Sequence, residues 1–394
     1  MSESAGGAFG GREVVIVEAV RTPIGKGHEE KGYYRSVHAS SLLAAAYGEL
    51  FTRSGVDPSE VGTAYAGCVH GFGEQGINIA RNAWLEAGLP ETVPATTVDS
   101  QCGSAQQAVS IAAALIATGV CDVAVGAGVE HMGHISFADS SAVMEDHGSP
   151  YSPQLLERYG LVHQAISAEM IADRWQLSRS ELDEIGLRSQ QLAKQATEEG
   201  RFQREIVPIR VDDQTYTADQ GLRETTIEGL ARLKPAFKED GKVTAGNSSQ
   251  ISDGASAVLL MTAEKAAQLG LAPRARIFDI VTIGVDPVIA LTGPIPATEK
   301  VLARNSMTID DVDLIEINEA FASVVGAWQR EIRPDVGRVN VNGGAIALGH
   351  PVGSTGARLV TTLLHEMERS DKEIGLVTMC CGGGLGTGTL IQRV

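Results

Sequence analysis

Two stretches of this 394-residue chain, VDSQCGSAQQAVSIAAALIATGVCDVAVGAG (98–128) and VNVNGGAIALGHPVGSTGARLVTTLLHEMERSDKEIGLVTMCCGGG (339–384), follow one grammar: strand, small-residue loop, helix, strand, glycines. A supersecondary unit repeated in this way implies two equivalent halves related by a pseudo-two-fold axis. Cys102 and His350 stand in the corresponding loops, so the symmetry brings them together at the seam.

The rest of the chain keeps the alternation. Residues 14–19, 61–69, 95–98 and 122–129 read as short apolar strands, and 40–53, 78–88 and 103–118 carry helical spacing. The order restarts near residue 272, with strands at 274–285, 312–317 and 374–379 and helices at 298–305 and up to Trp328. Strands this apolar are buried on both faces, which predicts an α/β architecture around a largely buried sheet. Regularity fades between about 131 and 251, where proline and glycine surround an acidic helical segment at 178–199. That stretch reads as a long insertion folded over the core, and long insertions are usually binding elements.

Within residues 339–358, glycines at 343, 344, 349, 353 and 356 let the backbone turn sharply and approach a ligand closely. A histidine held in such a loop, His350, serves either as an acid or base or as a turn cap. Cys102 opens an alanine-rich helix that is apolar nearly all round. The free N–H groups and dipole there lower a thiol pKa from ~8.5 and favour a nucleophile, although cysteine is equally a small buried hydrophobe. The closing CCGGGLGTG is no dinucleotide fingerprint, because GLGTG opens no helix and no acidic residue follows about 20 positions later. Its glycines suit backbone N–H groups turned toward a developing oxyanion, with Cys380 or Cys381 beside them.

Composition narrows the partners. A balance of 32 Lys+Arg against 49 Asp+Glu, net charge -17, argues against nucleic acid or anionic membranes, so an anionic ligand needs a local basic pocket. Arg223, Lys234 and Lys238 supply such charge in the insertion, or are simply solvated. The five cysteines show no CxxC or metal-like spacing, and the opening MSESAGGAFGGRE reads as a disordered polar leader without an apolar signal segment. The expected compartment is therefore reducing and cytoplasmic. No apolar run approaches the roughly 18 residues of a membrane helix. His131 and His134 make an HxxH, but no third ligand lies at metal spacing in that glycine-broken segment, so no metal is expected.

Five motifs, QCGSAQQA, GNSSQISDGA (246–255), NEAFA (318–322), NGGAIALGHPVGSTGAR and CCGGGLGTG, together resemble the thiolases, acyl-CoA acetyltransferases, over nearly the whole chain. DQGLRETT and SQISDGASAV look most like thiolases of actinobacterial fatty-acid or steroid breakdown. The resemblance implies an α/β thiolase fold: two pseudo-repeated βαβαβαββ halves, each a five-stranded sheet, in an αβαβα sandwich. It divides the chain into an N-terminal half (1–131 with 252–272), an inserted loop domain for CoA and substrate (132–251) and a C-terminal half (273–394). The implied reaction is CoA-dependent thiolytic cleavage of 3-ketoacyl-CoA, with coenzyme A as co-substrate, no permanently bound cofactor and a homodimer or homotetramer. The alternatives are a biosynthetic acetoacetyl-CoA thiolase and a non-catalytic lipid carrier or scaffold. A ketoacyl synthase commonly carries histidine where this chain has Asn318.

Carried over by motif, Cys102 is the nucleophile, His350 the base that activates it, and Cys380 the acid/base at the acetyl carbon. Asn318, through an ordered water, and His350 meet the enolate, while the N–H groups of Cys102 and Gly382 face the acyl oxyanion. His163 and Ser249 match pantetheine-side residues, and Arg223 an adenine-side arginine. Two positions depart from the family pattern, Ala105 in CGSA and Gln164 after His163.

Overall fold

The computed structural model describes residues 11–394, so most of the polar leader lies outside the described residues. The first part of the chain runs β1 (Val14–Arg21), β2 (Gly25–Lys26), α1 (Ala39–Ser54), β3 (Thr63–Gly67), α2 (Ile79–Glu86), β4 (Ala95–Val98), α3 (Ser104–Ala117) and β5 (Val123–His131). Next come α4 (Phe137–His147), α5 (Pro153–Arg158), α6 (Gln164–Arg174), α7 (Arg179–Glu198), β6 (Ile209–Val211), β7 (Gln214–Tyr216) and α8 (Ile227–Ala231). Strand β8 (Ser252–Thr262) and α9 (Ala263–Gln268) return to the first sheet. The second part runs β9 (Ala275–Gly284), α10 (Pro294–Arg304), β10 (Leu314–Ile317), α11 (Ala322–Ile332), α12 (Ala345–Leu348), α13 (Thr355–Ser370), β11 (Ile374–Cys381) and β12 (Leu385–Arg393).

Strand pairing exposes the repeat. The order β4-β3-β5-β8-β1 is mirrored by β10-β11-β12-β9, with Val339 bridging Ile315 where a fifth strand would lie. Both halves pair parallel at their outer edge and antiparallel toward their shared edge. The halves join where β1 meets β9, at Val15–Arg276 and Ile16–Ala275.

Alternation along the strands sets the layers, because successive side chains point to opposite faces. From β5, Val123, Val125 and Val129 face Leu42, Leu50 and Trp84 of α1 and α2. Ala124, on the other face, joins Val109 and Ile116 of α3, Leu359 and Leu363 of α13, and Val377 and Met379 of β11. Beyond that, Leu376, Leu390 and Ile315 meet Val301 of α10 and Trp328 of α11. These clusters pack the five layers of the αβαβα sandwich, with α3 and α13 in the middle.

The predicted strand at 339–341 shrinks to a bridge. The Asn340 side chain takes the Ile317 N–H at 2.8 Å and donates to the Ile317 carbonyl at 2.9 Å, standing in for a backbone ladder. The helix predicted from residue 298 starts at Pro294, a residue suited to a first turn because its missing N–H is unneeded there. The insertion holds five helices, more than its punctuation suggested; α7 opens with a Ser178–Glu181 capping box.

Candidate active site

Cys102 lies in the turn between β4 and α3. Gln101 has φ 52, a left-handed conformation rare for a side-chain-bearing residue and one that clusters at functional sites. The turn is tied by the Gln101 N–H to Asp99 Oδ1 (2.8 Å), and by Ser104 Oγ, which takes the Ser100 N–H (2.8 Å) and donates to the Gln101 carbonyl (2.6 Å). The thiol is buried, and burial pushes it up to about 11, against the pull of the Gly382 and Cys102 N–H groups directed at the sulfur. This reverses the sequence expectation: desolvation outweighs the helix N-terminus, so the resting thiol is neutral.

His350 is buried in the loop between α12 and α13. Its backbone N–H is shared by the Gln250 carbonyl and Ser252 Oγ, each at 3.2 Å. Gly349 before it has φ 115, and a Cβ there would come within 2.3 Å of Ser252 Oγ, so only glycine fits. The ring Nδ1 is 2.6 Å from Thr355 Oγ1, whose own hydrogen goes to the Pro351 carbonyl at 2.9 Å. Nδ1 therefore carries the proton and Nε2 the lone pair. Burial, with the Arg358 charge, pulls His350 down to about 3, keeping the imidazole neutral.

Asn318, just past β10, donates from Nδ2 to that Nε2 at 3.3 Å, and its buried Oδ1 has no protein partner. A buried acceptor left unpaired costs about 1–3 kcal/mol, so Oδ1 is available to a polar ligand. Cys380 and Cys381 end β11 on opposite faces. Cys380 packs with Ala320, Val324 and Leu291, and burial and the neighbouring Cys102 push its thiol well above the ordinary range. Cys381 lies in the middle core, where its sulfur takes the Gly103 N–H.

Some of the residues read as coenzyme A contacts pack beside elements of this site. His163 caps α6, and its ring stacks on Phe237 (5.9 Å, 28°), which meets Phe321 edge-on at 6.5 Å. The Ser249 N–H donates to the Ala320 carbonyl at 3.0 Å, beside Phe321. A Cβ on Gly382 would lie 2.8 Å from Gln164 Nε2, so Gln164 stands against the Gly382 turn. Arg223 and Arg232 line a cavity of about 390 Å³ with Gln190, Leu230 and Gly246. Among the described residues Arg223 forms no ion pair, whereas Lys238 pairs with Asp173 at 3.5 Å. A separate cavity of about 420 Å³, between Thr197 and Asp219, contains none of these groups.

The HxxH histidines do acquire a third polar neighbour, Glu74, from sixty residues upstream. Each ring nitrogen is already engaged: His131 Nε2 with the Tyr34 carbonyl (3.0 Å) and Nδ1 with the His134 N–H (3.2 Å). His134 faces Glu74 Oε1 (2.8 Å) and the Arg35 carbonyl (2.9 Å). Sequence spacing missed Thr355, Gln250 and Ser252 as supports of His350, and Phe237 and Phe321 as a ring stack. All but Phe237 stood inside motifs already noted, but only their contacts assign them.

Residues 14–264 match the family description "Thiolase, N-terminal domain", and residues 271–393 "Thiolase, C-terminal domain". A steroid 3-ketoacyl-CoA thiolase of Mycobacterium tuberculosis is 46% identical over 388 residues, 97% of this chain and 94% of the relative. A 3-ketoacyl-CoA thiolase of Psychrobacter cryohalolentis is 45% identical, covering 97% of this chain and 98% of the relative. The crystal structure of the Bacillus anthracis acetyl-CoA acetyltransferase superposes with TM-score 0.88 at 37% identity, over 98% of this chain and 99% of that one. With both halves matched and the αβαβα layers shared, the chain belongs to the thiolase family of acyltransferases.

Proposed function

We propose that this protein catalyses CoA-dependent thiolytic cleavage of 3-ketoacyl-CoA through an acyl-Cys102 intermediate. The observation that carries it is a buried thiol of the first half facing the Gly382 N–H with a second thiol, of the other half, beside it; a neutral imidazole with Nε2 unprotonated stands next to Asn318 and supplies the base. His350 Nε2 takes the proton as Cys102 sulfur bonds to the 3-keto carbon, and the N–H groups of Cys102 and Gly382 donate to the oxyanion. The C2–C3 bond breaks with its electron pair leaving on C2, and Cys380 protonates that carbon while the imidazolium and a water held by Asn318 donate to the enolate oxygen. After acetyl-CoA departs, Cys380 takes the proton of an incoming CoA thiol. The CoA sulfur then attacks the thioester carbon and expels Cys102, which recovers its proton from His350.

Burial fits this division of labour, because neither thiol is ionised at rest and charge forms only when a partner takes the proton. The loop domain at 132–251 is assigned to coenzyme A. Its pantetheine would run past Ser249 and the His163–Phe237–Phe321 rings, with the phosphate end at Arg223, a cation without a carboxylate partner among the described residues.

The names of the Mycobacterium and Psychrobacter relatives support cleavage as the working direction, and the thermodynamics of the Claisen step favour it too. A condensing acetoacetyl-CoA thiolase is the second reading, favoured by the acetyl-CoA acetyltransferases of Syntrophomonas wolfei, 42% identical, and Bacillus anthracis. We assign the protein to the cytoplasm as a homodimer or homotetramer. No helix among the described residues is long and apolar enough to cross a membrane. Acetyl-CoA release from 3-ketoacyl-CoA thioesters of graded length, with a steroid-derived thioester included, tests the reaction and its substrate together. The expected result is release accompanied by acyl mass on the Cys102 peptide, absent in Cys102→Ala. No release from any thioester, with Cys102 unmodified by iodoacetamide, would return the carrier reading, and a fully active monomer in light scattering would reject the oligomer.

A further inference from the structure

Each half holds the other's reactive loop, and in one direction the holder is a carboxylate outside the five family motifs. Glu130, near the end of β5 and fully buried, accepts at Oε2 from the Val69 N–H (2.9 Å) and from the Gly353 N–H (2.9 Å). At Oε1 it accepts from the His70 N–H (3.1 Å) and Gln75 Nε2 (2.8 Å), with His70 Nδ1 at 2.9 Å and Cys68 Sγ at 3.9 Å. Its two oxygens thus accept from three backbone N–H groups and the Gln75 amide, donors that a carboxylate has the lone pairs to satisfy. Gly353 lies three residues beyond His350, in the second half; every other partner belongs to the first.

Packing leaves that loop no slack. A Cβ on Gly353 would come within 2.5 Å of Glu130 Oε2 and of the Val129 carbonyl, and one on Gly128 within 2.1 Å of the Gly353 carbonyl. Ser256 adds a hydrogen bond to the Ser354 carbonyl at 2.8 Å. In the other direction Cys381, of the second half, takes the Gly103 N–H beside Cys102.

We infer that Glu130 is a positioning residue of the reaction: its carboxylate fixes the Gly353 peptide and so sets His350 Nε2 against Cys102 across the seam. Displacements on the scale of 1 Å in a reacting pair cost about 10²-fold in rate. A residue that only stabilised the fold would lower the amount of active enzyme and leave the turnover of each folded molecule unchanged. The inference rests on His350 being the base.

The test is Glu130→Gln, which keeps the shape but turns an NH₂ toward N–H donors whichever way the amide lies, with Glu130→Asp beside it. Per folded active site, Glu130→Gln is expected to lose about 10- to 100-fold in kcat and in the single-turnover rate of Cys102 acylation. KM for CoA should move less than about twofold, and Glu130→Asp should recover part of kcat. Native kcat in folded Glu130→Gln, or a loss confined to KM, overturns the inference. Where Glu130→Gln does not fold, Gln75→Leu, which removes one donor from Oε1, takes its place. A fall of about 2- to 10-fold in kcat per folded site supports the inference, and unchanged kcat overturns it. His350→Asn separates the two readings. Lost acylation there with native Glu130→Gln sinks only the positioning role, whereas surviving acylation sinks the base assignment.

Discussion

Cys102 shows how burial overrides a local rule. A thiol at a helix N-terminus is ordinarily acidified, yet here desolvation carries it to about 11, so at pH 8 only about one molecule in 10³ holds a thiolate. Alkylation of Cys102 by iodoacetamide is therefore expected to accelerate steadily from pH 7 to 10, followed as adduct on its peptide. A plateau below pH 8 would mean a preformed thiolate and imidazolium pair. The adjacent thiols make a second contrast. Cys380→Ala is expected to lose about 10²- to 10⁴-fold in turnover while Cys102 still acylates, the range for removing an acid/base group. Cys381→Ala, which empties a buried position under Gly103, should cost about 1 kcal/mol of stability in urea denaturation and little turnover. The reverse pattern would move the catalytic thiol by one residue and take the Gly382 oxyanion assignment with it.

Pairing of elements sets titrations that no single residue would show. β5 and β8 place His131 opposite Asp253, with Asp253 Oδ1 taking the Gly133 N–H at 2.7 Å and lying 3.4 Å from His131 Nδ1. Burial raises Asp253 to about 7 and lowers His131 to about 4. For Asp253 the folded value exceeds the unfolded one, so its stabilisation is complete below about 3.8 and is lost as pH rises through 7. For His131 the folded value is the lower, so stabilisation is present above about 6.5 and is lost as pH falls through 4. The two slopes oppose each other between pH 4 and 6.5, and Asp253→Asn removes one of them. From pH 5 to 7 the wild type should lose about 2 kcal/mol relative to Asp253→Asn, read from urea midpoints at the two pH values. A difference independent of pH would contradict an Asp253 protonated at pH 5.

At the scale of the whole molecule, α3 and α13 are what make two half-sheets one protein. Gln106 of α3 donates to the Val377 carbonyl (3.2 Å) and Thr389 Oγ1 (2.7 Å), and accepts from Thr387 Oγ1 at 2.6 Å. All three partners lie on strands of the other half, and Gln106 is fully buried. Gln106→Leu should therefore cost about 2–4 kcal/mol in urea unfolding, since it leaves buried partners unpaired; a loss under about 1 kcal/mol would show the seam to be held by apolar contact alone. Much of this architecture was legible beforehand. The repeated strand, loop and helix forced a pseudo-two-fold, because it follows from local periodicity, and the motif CCGGGLGTG put Cys380 in the catalytic slot by resemblance. What no local pattern carries is a contact between residues far apart in sequence. The proton on His350 Nδ1 depends on where Thr355 sends its own hydrogen, the neutrality of Cys102 on how much protein surrounds it, and the place of Glu130 on a glycine 223 positions away. The sequence by itself determined which groups could react and that two halves would present them. Only the tertiary structure decided their protonation and their spacing, because desolvation and hydrogen bonding are properties of the packed site and not of the chain that enters it.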